Sequence, residues 1–320
     1  TMLLLSEELT RQALPFDTLI LALERMFQNG CEMPVRHHHQ MEVPNEPAAT
    51  MLLMPAWLPG QYAGVKIVNV MPGNSTRGLP AISAQYLLSD ATTGEMLALI
   101  DGGELTARRT AAASALAARF LAREDAEHLL IIGTGRLSLN LIEAHRSVRK
   151  LKHITVWGRD KAKATAVCHE AKKIFSGEQE HLTIDVADDL DDAVSRADII
   201  STCTLSNDPL VKGACLKAGA HVDLVGAFLP TMRESDNAVM ARGRIFVDTR
   251  AGCLKEAGDI VHVVQNGTID EGAIQADLFE LCRGEQGGRS SADEITVFKS
   301  VGAALEDLAG AMLAVKHMPQ

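Results

Sequence analysis

The sequence predicts an α/β fold in two domains, the second built on a doubly wound parallel sheet. The chain has 320 residues, which exceeds the common size of one domain, roughly 100–200 residues. From about residue 128 onward, short apolar strands alternate with helical segments, the pattern of parallel βαβ units. A turn with two glycines, Gly133-Thr134-Gly135, separates the first of these strands from the helix that follows. The parallel sheet is therefore expected in the second part of the chain.

The first part of the chain predicts a smaller α/β domain. An apolar helical pattern covers residues 17–28, with Asp17 as its expected N-terminal cap. Between residues 50 and 100, apolar runs are separated by turn residues, which predicts strands joined by tight turns. The Ala-rich segment 105–123 contains neither Gly nor Pro and is expected to form one helix.

The second part continues as strands and helices in turn. The expected strands have the sequences HLLIIG, HITVWG, LTIDV, ADIISTCT, HVDLVGAF and RIFVDT. The tail from Thr296 is expected to return to an Ala-rich amphipathic helix. We therefore expect one domain over residues 1–120, completed by residues 300–320, and a second over residues 121–299.

Composition restricts the class of function. Asp and Glu total 41 and Lys and Arg total 31, which gives a net charge of −10. This acidity argues against general binding to nucleic acid or to anionic membranes, since both favour a basic face. No apolar stretch reaches the roughly 18 residues that a membrane-spanning helix needs, and the run at residues 2–5 is too short for the core of a signal peptide.

Cysteines and histidines give no sign of a metal site. The six cysteines contain no CxxC pair, so we expect neither a zinc ribbon nor a dithiol redox motif, and reduced thiols in a cytoplasmic protein. His37, His38 and His39 are adjacent, and adjacent side chains of an extended chain point to opposite sides. A loop or an edge strand is the expected setting for them.

The glycine turn predicts a dinucleotide-binding site of the Rossmann type. Gly133 permits a tight bend, Gly135 lets the backbone approach a pyrophosphate, and the following helix offers its N-terminal N–H groups to the anion. Ser138 stands at the third small position of the fingerprint. A glycine fingerprint alone is weak evidence, but here it stands in the required strand–turn–helix context.

The end of the second parallel strand predicts the choice of cofactor. An NAD-selective site has an acidic residue there, whereas this chain has Gly158, followed by Arg159 and Lys161, whose charges suit a 2′-phosphate. Asp160 is either a ribose ligand or a helix cap. NADP(H) is the preferred cofactor and NAD(H) stays open.

Cations in the first domain are candidates for binding an anionic substrate. Lys66 interrupts the apolar strand GVKIVNV, where a lysine needs a partner or titrates near neutral pH. Arg109 stands near the start of the Ala-rich helix, beside Thr110, and its guanidinium matches a carboxylate. Surface pairing or snorkelling is the alternative for such side chains. The other cations considered are Arg36, Arg77 and Arg108.

Eight segments together carry a family resemblance. They are MPVR (33–36), MPAW (54–57), GVKIVNVMPGNSTRGLPA (64–81), LLSDATTGEMLALIDG (87–102), ARRTAAASALAARFLAR (107–123), GTGRLS (133–138), VWGRDKAKA (156–164) and TVFKSVGAALED (296–307). On these segments the chain resembles the ornithine cyclodeaminase/μ-crystallin family over nearly its whole length. The resemblance implies a Rossmann domain and an α/β substrate domain through which members form homodimers.

The resemblance also implies roles for single residues. It makes Arg36 and Arg109 ligands of the substrate carboxylate and Lys66 the active-site lysine, which is the expected catalytic residue. Together with the fingerprint, it gives the expected cofactor contacts Thr110, Gly133, Thr134, Gly135, Arg159, Asp160, Thr202, Thr204 and Ser300.

One departure from the family indicates the reaction. Cyclodeaminases carry a catalytic aspartate where this chain has Phe228, and a phenyl ring cannot relay protons. The resemblance therefore implies the ketimine reductase branch: NAD(P)H-dependent reduction of Δ1-pyrroline-2-carboxylate to L-proline, with Δ1-piperideine-2-carboxylate as a second substrate. The alternatives are an ornithine cyclodeaminase, an alanine-type dehydrogenase acting on an open-chain imine, and an NADPH-gated binding protein like μ-crystallin. The set of Arg36, Lys66 and Arg109 favours an enzyme.

Overall fold

A computed structural model describes residues 1–175, 177 and 181–318 of the chain. The chain divides into two compact units, one formed by Thr1–Thr110 with the chain from Ala303 onward, the other by Ala111–Gly302. The division between them lies inside a long helix, Gly102–Leu121, ahead of the predicted domain boundary after residue 120.

The first unit contains a mixed six-stranded sheet. Its strands follow the order β1-β6-β5-β4-β3-β2, in which only β1 and β6 are parallel neighbours. Short turns at residues 59–61 and 91–95 join strands as the turn residues predict, but the prediction of a tight turn is wrong for residues 71–81, which contain a 3₁₀ helix, Pro72–Thr76. The elements are β1 (Leu3–Leu5), α1 (Glu7–Ala13), α2 (Phe16–Asn29), β2 (His37–Met41), β3 (Ala49–Leu58), β4 (Tyr62–Val70), β5 (Ile82–Asp90), β6 (Met96–Asp101) and the beginning of α3 (Gly102–Leu121).

The second unit contains an eight-stranded parallel sheet in the order β13-β12-β14-β11-β10-β7-β8-β9. Its elements are β7 (His128–Ile132), α4 (Leu137–Val148), β8 (His153–Trp157), α5 (Lys161–Phe175), β9 (Thr183–Val186), α6 (Leu190–Arg196), β10 (Ile199–Thr202), β11 (His221–Leu224), α7 (Asn237–Arg242), β12 (Gly243–Val247), α8 (Arg250–Glu256), α9 (Gly258–Gln265), β13 (Ile274–Asp277), α10 (Leu278–Arg283) and β14 (Ile295–Lys299). The direction of winding reverses between β7 and β10, which is the point where such sheets bind ligands. The predicted α/β fold with a Rossmann-type sheet is confirmed.

The C-terminal helix, α11 (Ala304–His317), completes the first unit. The prediction that this helix starts at Thr296 is wrong, because residues 295–299 form β14, paired with β11 and β12. Every residue of β14 is buried. A strand that is covered on both faces has a continuous apolar run, and periodicity does not separate such a run from a buried helix.

Two helix starts also differ from their predictions. Helix α2 begins at Phe16 with Pro15 as its N-cap residue and no side-chain cap, so Asp17 lies in the first turn instead of capping it. Its charge there is favourable to the helix dipole. Helix α3 begins at Gly102 because the Asp101 side chain accepts a hydrogen bond from the Glu104 N–H at 2.8 Å.

Helix α11 packs on β3, β4 and β5, so one face of the mixed sheet is buried. Lys66 and Tyr86 are opposite each other in the β4–β5 register and both point to this buried face. Gly64 is required beside them, because a Cβ at that position would lie 2.1 Å from the Tyr86 Oη. The alternate side chains form an apolar second face that is only half-buried, with Leu53, Val65, Ile67, Leu87 and Leu99 as its members.

All six cysteines are free thiols. Within the described part of the chain, no helix is both long and apolar enough to cross a membrane. The same residues contain no group of three or more His, Cys, Asp or Glu side chains arranged to hold a metal ion. His37, His38 and His39 are exposed on β2, which is an edge strand of the mixed sheet.

Candidate active site

Three elements of the first unit bring a buried lysine, an arginine and an aspartate together. Strand β4 carries Lys66, helix α3 carries Arg109, and α11 carries Asp307. The Lys66 Nζ lies 3.1 Å from the Asp307 Oδ2 and donates a hydrogen bond to the Thr106 Oγ1 at 3.1 Å. The Arg109 Nε donates to the Asp307 Oδ1 at 2.8 Å. One carboxylate therefore holds two buried cations, and we call these three residues the charge cluster.

A second acid extends the charge cluster. The Arg109 Nη1 lies 3.8 Å from the Glu306 Oε1 and donates to the Thr110 Oγ1 at 3.1 Å. Glu306 and Asp307 are buried although they belong to the first turn of α11. Burial of so many charges is unfavourable unless they compensate one another, so these side chains are fixed by their mutual pairing.

Burial lowers the pKa of Lys66 to about 8. Asp307 opposes this shift, while the positive charges of Arg109 and Arg36 add to it. Burial alone would raise the pKa of Asp307, but Arg109 and Lys66 outweigh it and hold that pKa below its ordinary value. At neutral pH the Lys66 Nζ is therefore mostly protonated. It loses its proton as the pH rises above about 8.

The charge cluster thus contains two of the predicted substrate-site residues, Lys66 and Arg109. The third, Arg36, lies in the segment before β2, and its positive charge contributes to lowering the pKa of Lys66. Asp307 and Tyr86 are not among the site residues predicted from the sequence. Tyr86 is fully buried, its Oη lacks a hydrogen-bond partner among the described residues, and burial raises its pKa well above the ordinary value. The available signal for Asp307 was an acidic pair at the start of an otherwise apolar helix.

In the second unit, a cavity of about 370 Å³ lies at the carboxyl ends of β7, β8 and β10. This is the side of a parallel sheet where dinucleotides bind. Its lining residues are Gly133, Thr134, Gly135, Trp157, Gly158, Arg159, Cys203, Thr204, Leu205, Ser206 and Leu210.

The fingerprint turn has the geometry that its glycines predict. Gly133 has a φ of 132°, and a Cβ there would lie 2.7 Å from the Cys203 Sγ, so both conformation and space require glycine. Gly135 is exposed, and a Cβ at that position would meet nothing within 4 Å. No side chain caps the first turn of α4. Open backbone before an uncapped helix end fits the pyrophosphate of a dinucleotide.

After β8, Gly158 stands where an NAD-selective site has its acidic residue. A Cβ on Gly158 would lie 2.4 Å from the Thr134 Cγ2. The next residue, Arg159, is exposed and its Nη2 donates to the Ser206 Oγ at 3.3 Å. Asp160 accepts a hydrogen bond from the Ala162 N–H at 2.9 Å, as a cap of α5 does.

The remaining predicted cofactor residues occupy different settings. Thr204 lines the cavity, whereas Thr202 is the last residue of β10 and is fully buried. Ser300 is buried after β14, and its N–H donates to the Leu224 carbonyl at 3.2 Å. Thr110 belongs to the first unit, where it accepts the bond from Arg109. Their contacts with a cofactor stay predictions.

Comparison with known proteins relates the chain to one family. The sequence profile of the ornithine cyclodeaminase/mu-crystallin family matches residues 2–318. The Delta(1)-pyrroline-2-carboxylate reductase of Colwellia psychrerythraea is 34% identical over 319 residues, 99% of each chain. The structure of the Thermococcus litoralis Delta(1)-pyrroline-2-carboxylate reductase with NADH and L-proline has a TM-score of 0.89 at 33% identity, covering 98% of this chain and 97% of that one. An archaeal alanine dehydrogenase dimer with bound NAD has a TM-score of 0.87 at 29% identity, covering 98% and 95%.

The charge cluster predicts a large effect of Asp307→Asn on stability. The substitution leaves two buried cations without their carboxylate, which costs about 3–5 kcal/mol of unfolding free energy. Adding Lys66→Met should recover part of this loss, because it removes one of the unpaired charges. The two tryptophans lie one in each unit, so urea unfolding followed by Trp57 fluorescence in a Trp157→Phe background reports on the first unit. A double variant no more stable than Asp307→Asn would contradict the pairing as the cause.

Proposed function

The chain belongs to the ornithine cyclodeaminase/mu-crystallin family, and from this premise we propose that it reduces Δ1-pyrroline-2-carboxylate to L-proline with a nicotinamide dinucleotide. The observation that carries the proposal is the charge cluster, a buried lysine with a pKa of about 8 beside an arginine. The similarity to pyrroline-2-carboxylate reductases supports the same reaction. Δ1-Piperideine-2-carboxylate, the six-membered homologue, is the second proposed substrate.

The proposed role of the charge cluster is to bind and polarise the imine. Arg36 and Arg109 bind the substrate carboxylate, since a guanidinium matches its two oxygens. The Lys66 Nζ holds a proton against the imine nitrogen, which makes the adjacent carbon more electrophilic. Asp307 keeps this Nζ in place at 3.1 Å and favours its protonated form. When bound, the nicotinamide supplies the hydride.

The cavity of the second unit is the proposed cofactor site. Gly133, Thr134 and Gly135 would hold the pyrophosphate, and Arg159 would bind a 2′-phosphate, which makes NADP(H) the preferred cofactor over NAD(H). The absence of an acidic side chain at Gly158 supports this preference, because an acid there would be needed to select the free ribose hydroxyls. Thr204 and Ser206 complete that side of the cavity.

We further propose a cytoplasmic homodimer. The half-buried apolar face formed by Leu53, Val65, Ile67, Leu87 and Leu99 is suited to a second copy of the chain, because an apolar sheet face of this kind is unfavourable in water. The dimeric state of the similar archaeal alanine dehydrogenase supports the same assembly. Six free thiols suit a reducing compartment.

The direct test follows the oxidation of NADPH and of NADH, in parallel, with Δ1-pyrroline-2-carboxylate. We expect rapid oxidation, and Lys66→Met should abolish it while leaving NADPH binding, measured by fluorescence titration, nearly unchanged. Near-wild-type turnover by this variant would refute the role of Lys66.

The same assay separates the alternative functions. L-Ornithine should yield neither proline nor ammonia, because Phe228 replaces the aspartate of the cyclodeaminases; their appearance would identify a cyclodeaminase. Ammonia-dependent oxidation with pyruvate would identify an alanine-type dehydrogenase, as the similar archaeal enzyme suggests. Tight NADPH-dependent ligand binding without turnover would identify a binding protein.

The pKa of Lys66 predicts a pH dependence. Because the protonated Nζ is the active form, kcat/KM should fall above about pH 8, by about tenfold per pH unit. Asp307 raises the pKa of Lys66, so in Asp307→Asn this alkaline limb of the pH profile, the fall of kcat/KM, should move to lower pH. Lys66→Arg should abolish the limb in whatever activity it keeps. A limb that is unchanged in Asp307→Asn would exclude Lys66 as the titrating group.

Arg159→Ala tests the cofactor preference. Loss of a guanidinium–phosphate interaction should raise the KM for NADPH by roughly 10–100-fold and leave the KM for NADH unchanged. Lys163→Ala is the matched control, because Lys163 is an exposed cation in the first turn of α5, close to Arg159 in the sequence. An equal rise for both cofactors would show that Arg159 does not discriminate between them.

A further inference from the structure

A single buried carboxylate in the second unit holds two loops that follow adjacent strands. Glu234 is fully buried between β11 and α7. Its Oε2 accepts hydrogen bonds from the Thr204 N–H at 2.7 Å and from the Thr204 Oγ1 at 2.9 Å. Its Oε1 accepts from the N–H groups of Gly226 at 2.7 Å and Ala227 at 3.2 Å. Each carboxylate oxygen therefore holds a different loop.

Both loops lie at the carboxyl edge of the parallel sheet. The loop after β10 contains Thr204 and Ser206, which line the cofactor cavity, and Ser206 accepts the hydrogen bond from Arg159. The loop after β11 leads from Ala227 into Phe228, the position of the catalytic aspartate in cyclodeaminases. Glu234 thus connects the side of the cavity next to Arg159 with the residue that distinguishes this chain from the cyclodeaminases.

The approach of the two loops is close and well anchored. A Cβ on Gly226 would lie 2.1 Å from the Thr204 carbonyl oxygen and 2.6 Å from the Glu234 Oε2, so only glycine fits there. Asp259 fixes the backbone of Glu234. Its Oδ1 accepts hydrogen bonds from the N–H groups of Glu234 at 3.0 Å and Ser235 at 2.8 Å. The carboxylate has little freedom to move with either loop.

Four donors facing two oxygens explain why the residue is an acid. Burial raises the pKa of Glu234 and Lys299 opposes this shift, while nearby Asp259 adds to it. A charge in this position is therefore costly. A glutamine of the same shape would avoid that cost, but its NH2 group would face N–H donors of one loop and could not accept from them. Only the carboxylate satisfies both loops together.

We propose that Glu234 is a positioning residue that fixes the cofactor loop, residues 203–206, relative to the loop that carries Phe228. It acts through hydrogen bonds to these loops and does not itself contact cofactor or substrate. The kinetic part of this proposal rests on the proposed ketimine reduction, whereas its binding part requires only that the chain binds NADPH.

Glu234→Gln is the first test, with NADPH affinity measured by fluorescence titration. We expect the Kd for NADPH to rise roughly tenfold, the effect of losing about one buried hydrogen bond. In turnover assays the KM for NADPH should rise by the same factor, with a smaller change in kcat. Because the Kd is measured without ketimine, a failure of the proposed reaction leaves this result interpretable.

Asp223→Asn is the matched control. Asp223 is equally buried in the same unit and accepts hydrogen bonds from Ser114, Ser201 and His145 at 3.0, 2.7 and 3.2 Å. This variant should lower the melting temperature as Glu234→Gln does, but leave the Kd for NADPH within about twofold. If Glu234→Gln lowers the melting temperature and leaves the Kd unchanged, Glu234 is merely structural and the proposal is overturned.

Asp259→Ala keeps the proposal testable if Glu234→Gln does not fold. It removes the acceptor of the Glu234 and Ser235 N–H groups and changes no residue that lines the cavity, and we expect a smaller rise of roughly threefold in the Kd for NADPH. Where both variants fold, the double variant should bind NADPH no more weakly than Glu234→Gln alone, because both act through the same carboxylate. Additive effects, or an unchanged Kd in Asp259→Ala, would overturn the proposal.

Discussion

The pairing of Lys66 and Arg109 with one buried carboxylate, Asp307, is the constraint on which the first unit depends. Two cations in an apolar interior repel each other and lose their hydration, so neither is tolerable without a shared anion. Because Asp307 belongs to α11, this pairing requires the C-terminal helix to return to the N-terminal sheet. The same arrangement leaves Lys66 with a pKa of about 8. Stability and proton chemistry therefore have one structural origin.

The second unit satisfies a different constraint, which is the close approach of backbone segments at the edge of a packed sheet. Gly133 and Gly226 each occupy a place where a Cβ would collide with the loop after β10. These two glycines let three loop segments converge at the carboxyl ends of neighbouring strands. Glu234 then fixes two of them with both of its oxygens. The two glycines thus allow the loop backbones to pack closely, and the buried Glu234 carboxylate holds two of these loops together.

Local signals predicted much of this structure. The sequence predicts six parallel strands, β7 to β12, and the fingerprint turn, because each has a short-range signature, an apolar run or glycine in a set context. It does not predict β13, which has only four residues, Ile274–Asp277. Three errors have local explanations. Pro15 and not Asp17 is the N-cap residue of α2, and α3 begins at Gly102, next to Asp101 and before the predicted residue. The apolar segment 295–299 is a central strand instead of the first turns of a helix.

By itself, the sequence determined the α/β class, the dinucleotide turn, the family and the cations Arg36, Lys66 and Arg109 as candidate ligands. The tertiary structure alone decided which buried acids hold the functional residues in place. Asp307 is 241 residues from Lys66 along the chain, and Glu234 holds Thr204 across 30 residues. The acidic pair that includes Asp307 is only a weak signal, and Glu234 has none, because an acidic side chain in a first helical turn or a loop is ordinary at the surface. Only the folded chain shows that these carboxylates are buried, and burial is what obliges them to pair.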